Sequence, residues 1–75
     1  MGKGTRVMTE FTKLDIETLI NGGAVEIHNF AELHAIPEGF NFVGNYEEPH
    51  PEYGYPVVVA RVLKGFSGKM YVYYL

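Results

Sequence analysis

The spacing of apolar residues changes period along the chain, and each period predicts a different element. Leu14, Ile16, Leu19 and Ile20 recur at a nearly helical interval. Thr12 before them suits an N-cap, Asp15 and Glu17 suit the positive end of a helix dipole, and Asn21-Gly22-Gly23 provides a stop. The pattern predicts a helix over 13–21. In Ala24-Val25-Glu26-Ile27-His28 the period falls to two, as in a short strand with Val25 and Ile27 inward. Asn29 with Glu32 three residues on reads as a capping box opening a short helix over 30–35, which Pro37 ends.

The second half reads as β structure. Phe40 to Tyr46 forms a strand with Phe40 and Phe42 on one face, interrupted or bulged at Gly44. Glu47 to Pro56 carries three prolines, and its missing backbone donors predict an extended, exposed loop. Residues 57–64 and 69–75 are rich in Val and Tyr around Gly65-Phe66-Ser67-Gly68, the composition of a β-hairpin. The expected fold class is α+β: a three- to four-stranded antiparallel sheet (hairpin 57–64/69–75, strand 40–46, candidate fourth strand 24–28) against a helix 13–21 and a short helix 30–35.

Length limits this arrangement to one core. The 75 residues contain no Cys, so neither disulfides nor a thiolate metal cage can stabilise the fold, and apolar packing or self-association must. Five Phe and six Tyr are too much adhesive surface for a chain that stays unfolded. The Gly/Lys/Arg-bearing start, 1–7, is expected to extend from a domain spanning 8–75. With no long apolar run and no signal-peptide pattern, a cytoplasmic location without membrane contact is expected.

The net charge of −3 conceals a segregation. Lys3, Arg6 and Lys13 lie at the front and Arg61, Lys64 and Lys69 at the back, while eight carboxylates from Asp15 to Glu52 fall in an interval free of Lys and Arg. His28, His34 and His50 lack the one-turn or one-strand spacing of a metal site, and no nucleophile or phosphate-loop motif is present, so neither metal, cofactor nor catalysis is expected.

Two binding chemistries remain. The acidic, tyrosine-bearing loop, with Glu47, Glu48, Glu52, Tyr53 and Tyr55, suits contact with a basic surface on a larger protein. The expected function is therefore a small acidic protein-binding module, an inhibitor or modulator of the kind phages and mobile elements make, acting by occlusion. In the alternative, Arg61, Lys64, Phe66 and Lys69 on the last hairpin bind single-stranded nucleic acid. The apolar final strand adds a route to a homodimer through an exposed sheet edge at Tyr71, Tyr73 and Leu75.

Overall fold

The structure, a computed structural model, describes residues 9–75, and the extension expected over 1–7 lies outside them. The described elements, in chain order, are β1 (Thr9–Phe11), α1 (Lys13–Asn21), β2 (Val25–Ile27), α2 (Phe30–His34), β3 (Phe40–Pro49), β4 (Pro56–Gly65) and β5 (Met70–Tyr74). The α+β class holds, with more strands and different pairing than the pattern predicts.

The five strands form one sheet in the order β1-β3-β4-β5-β2. β3, β4 and β5 make the expected antiparallel meander, but β1 runs parallel to β3 and β2 parallel to β5. The sheet is therefore mixed, and β4 alone runs against the other four strands. The connections explain this. α1 carries the chain from one sheet edge to the other, and β3 must then start from the far side, so both edge strands arrive in the same direction. β1 is not legible in the sequence, since in Thr9-Glu10-Phe11 only Phe11 is apolar and no alternation shows.

Helix ends follow local chemistry. Thr12 Oγ1 accepts from the Asp15 amide at 3.1 Å while Asp15 Oδ2 accepts from the Thr12 amide at 2.9 Å, a complete capping box. At the other end Gly23 takes φ +102°, and the Ala24 and Gly23 amides donate to the Leu19 and Ile20 carbonyls, a Schellman closure open to glycine at little cost. The Asn29 cap of α2 is looser. Its Oδ1 accepts from the Glu32 amide, but Glu32 reaches past the cap to the His28 amide.

The two helices lie on opposite faces of the sheet. Ile16, with Leu19 and Ile20, packs on Tyr46, Ala60, Val62 and Val72. Leu33 and Ile36 pack on Ile27, Leu63 and Tyr71. Alternation along β4 and β5 supplies both clusters from adjacent residues, Val62 and Leu63 or Val72 and Tyr71. Leu14 departs from the expected apolar stripe: it is 70 % exposed, and α1 packs through Ile16, Leu19 and Ile20 instead.

This division of α1 is testable by urea denaturation. Ile16→Ala should destabilise by roughly 2–5 kcal/mol, the range for truncating a buried aliphatic, whereas Leu14→Ala should stay within about 0.5 kcal/mol. Equal losses would show that Leu14 is packed.

Candidate functional site

The stretch read as an irregular loop is mostly ladder. β3 runs on to Pro49 and β4 begins at Pro56, so Glu47 pairs with Val58, Glu48 with Val57 and Pro49 with Pro56. Proline is tolerated here because the pairs lie at the very end of the ladder, where a missing donor breaks no internal bond. Register shifts between Phe42 and Gly44 and between Tyr46 and Glu47 bend this long hairpin, the first at the glycine the sequence marks as irregular.

Six residues close the hairpin end, and His50 organises them. Its amide donates to the Tyr55 carbonyl at 2.7 Å, and the Gly54 amide donates back to its own carbonyl at 2.9 Å. His50 Nδ1 accepts from the amides of Glu52 and Tyr53, at 3.1 and 3.3 Å, which places the proton of the neutral ring on Nε2. Gly54, at φ +79°, supplies the left-handed turn. The imidazole stacks on both tyrosines, with centroids 5.0 Å from Tyr53 and 4.9 Å from Tyr55, and the two phenol rings are nearly parallel. Tyr53 is 71 % exposed and Tyr55 53 %.

The expected binding residues Glu47, Glu48, Glu52, Tyr53 and Tyr55 thus share one end of the sheet. Glu48 is held by the buried Tyr46 hydroxyl, which donates to its Oε2. That bond, with burial and the neighbouring negative charge, pushes the Tyr46 phenol up to about 12. A cleft of about 360 Å³ lies alongside, where β1 ends and the edge of β3 is left without a strand, lined by Phe11, Asn45, Glu47, Glu48, Pro49 and Pro56 among others.

The opposite end of the sheet is closed by a residue the sequence reading passed over. Glu38 accepts from the Ser67 amide at 2.7 Å, the Ser67 hydroxyl at 2.8 Å and the Tyr71 hydroxyl at 2.7 Å, fastening the β4–β5 turn to the segment after α2. Gly65 leaves room for this carboxylate, which a Cβ there would strike. Gly39 does the same for Phe66, whose ring lies where a Cβ would sit 2.5 Å away. The only signal in the sequence was the pair of small residues in a turn, which does not name a partner twenty-nine positions distant.

The other expected sites come apart. Arg61 and Lys64 stand three positions apart on a regularly paired stretch of β4 and face opposite sides of the sheet; Arg61 lies 5.5 Å over the Phe42 ring. Phe66 and Lys69 belong to the turn that Glu38 fastens. The proposed dimer edge is corrected: β2 pairs with Tyr71, Val72 and Tyr73, so their backbone groups already have neighbours on both sides, and Tyr71 is only 3 % exposed. Leu75, 61 % exposed, donates its amide to the Val59 carbonyl. The histidines do not converge either: His28 stacks on Tyr74, His34 meets the edge of Phe30, and His50 belongs to the hairpin tip.

Comparison of the chain with protein-family models, curated proteins and solved structures finds no match in any of the three. The site must therefore be read from its own chemistry.

That chemistry predicts a pH profile. The hydrogen bond from Tyr71, followed by those from Ser67, holds the Glu38 carboxyl below its ordinary 4.5. Its contribution is present above that value and is lost as pH falls through the depressed one. Tyr46 and Tyr71, through their carboxylate bonds, and Tyr74, mainly through burial, are raised above 10. Their contribution is present below pH 10 and is lost as pH rises beyond it. Urea midpoints should therefore fall at both extremes. Glu38→Gln should flatten the acid limb selectively; an unchanged acid limb would show that another carboxylate governs it.

Proposed function

We propose that this protein is a binding module that docks the tip of its β3–β4 hairpin onto a basic surface of a larger protein and acts by covering it. The carrying observation is the stacked His50-Tyr53-Tyr55 tip, exposed yet fixed by its own hydrogen bonds. An exposed tyrosine pair held in one arrangement loses little conformational freedom on binding, which makes it a suitable interface anchor. Glu47 and Glu48 at the end of β3 and Glu52 within the six-residue closure put negative charge at the same end of the hairpin, so a cationic partner is attracted and an anionic one repelled. A steric and electrostatic plug of this kind, the inhibitor or modulator that phages and mobile elements make, needs no pocket and no reacting group.

The nucleic-acid alternative draws less support. Its contact residues are divided between the two sheet faces and a turn, while phosphate tracking needs cations along one continuous path.

Photo-crosslinking in a native host tests the docking surface. A benzophenone amino acid at position 53 should capture a basic protein, the same group at position 66 should not, and Glu47→Lys/Glu48→Lys/Glu52→Lys should abolish the capture. Equal capture from both positions, or capture indifferent to the charge reversal, would sink the tip model. Titration with single-stranded oligonucleotides at low salt should show no saturable binding; a salt-dependent isotherm would revive the alternative.

A further inference from the structure

One row of side chains crosses the whole sheet in register. Glu10 of β1 pairs with Asn45 of β3, Asn45 with Arg61 of β4, Arg61 with Tyr73 of β5, and Tyr73 with Ile27 of β2. Cross-strand partners share a face, and this is the face on which α2 packs, since Ile27 and Tyr73 belong to its cluster. α2 is only five residues long and covers the β2–β5 side. Over β1, β3 and β4 the row reads acid, amide, base, with Arg61 resting on Phe42, itself 40 % exposed. Asn45 Oδ1 is buried without a hydrogen-bond partner among the described residues.

We infer that a second copy of this chain covers the half of this face that α2 leaves uncovered among the described residues, through the self-complementary row Glu10-Asn45-Arg61. A two-fold axis lying between the sheets and parallel to β3, passing at Asn45, reverses the order of the strands without reversing their direction. It sets Glu10 of each copy opposite Arg61 of the other, Asn45 opposite Asn45, and Phe42 opposite Phe42. Each acid then meets a base, as an isologous contact between identical surfaces requires. The rotation carries α2 of each copy past the β1 edge of the other, so the covered half of one sheet stands beside the open half of its mate. Glu47, the next residue on this face of β3, falls opposite its own counterpart, but lies toward the hairpin end, where an exposed side chain turns into water. A second copy fits better than an unrelated partner because acid and base both belong to the same row, two strands apart. The surface meets the hairpin tip at Glu47, but its charge pair, Glu10 and Arg61, lies outside the tip, so variants at those two positions test it without touching the tip.

Sedimentation equilibrium tests it. The wild-type chain should associate at tens of micromolar to twice its 8.5 kDa. Glu10→Arg and Arg61→Glu should each weaken self-association by roughly 100-fold, because both symmetry-related contacts become like-charge pairs. Mixing the two variants is the deciding measurement. The first variant carries arginine at both positions of the contact and the second glutamate at both, so each contact in the mixed pair again joins a base to an acid. A one-to-one heterodimer should form, which a folding defect cannot produce. Circular dichroism melts confirm that each variant is folded before mixing. A wild-type chain that stays monomeric at millimolar concentration, variants that still self-associate, or a mixture that stays monomeric would each overturn the inference.

Discussion

The pairing of β4 with both its neighbours is the constraint on which the rest of the molecule depends. It runs along β3 for its whole length, and five of its residues also pair with β5. Ala60 and Val62, both at 0 % exposure, sit on this strand, and Leu63 on its other face begins the second cluster. In a chain too short for a deep core, a central strand that feeds apolar residues to a cluster on each face anchors both. Helices and edge strands are then positioned by what β4 and β5 present to them.

Both ends of the meander are finished by the same device. At one end His50 Nδ1 takes two turn amides; at the other Glu38 takes the Ser67 amide together with two hydroxyls. Turn amides that point away from the ladder need an acceptor, and a side chain placed there fixes the turn as well as satisfying it. The two ends differ in what they leave outside. Glu38 draws Tyr71 inward and is consumed in structure, whereas His50 stacks two tyrosines that remain exposed. The β4–β5 turn leaves the single Phe66 ring outside, whereas the hairpin tip holds two exposed tyrosines stacked on one histidine, and that contrast supports reading the tip as a contact surface.

Charge follows the same division. The carboxylates that look alike in the sequence do different work: Asp15 caps α1, Glu32 takes the His28 amide, Glu26, Glu38 and Glu48 receive tyrosine hydroxyls, and Glu47 and Glu52 lie toward the tip. The acidic middle of the chain is therefore not one acidic face. Much of it is engaged in structural hydrogen bonds.

Local periodicity and capping chemistry specify α1 to the residue, the position of α2 to within one residue, and the β3–β4–β5 meander, because these depend on neighbours a few positions apart. The same local signals locate the acidic tyrosine segment. Folding in three dimensions settles the rest: β2 closes the β5 edge, three residues of β1 form a fifth strand, and Leu14 faces solvent. It also converts a proline-bearing loop into an ordered hairpin, and joins Glu38 to Ser67 and Tyr71. Each of these rests on contacts between distant segments. Neighbouring strands announce their pairing through the turn that joins them and their alternation, whereas strands far apart in the chain share no turn and short ones carry too little alternation to name a partner.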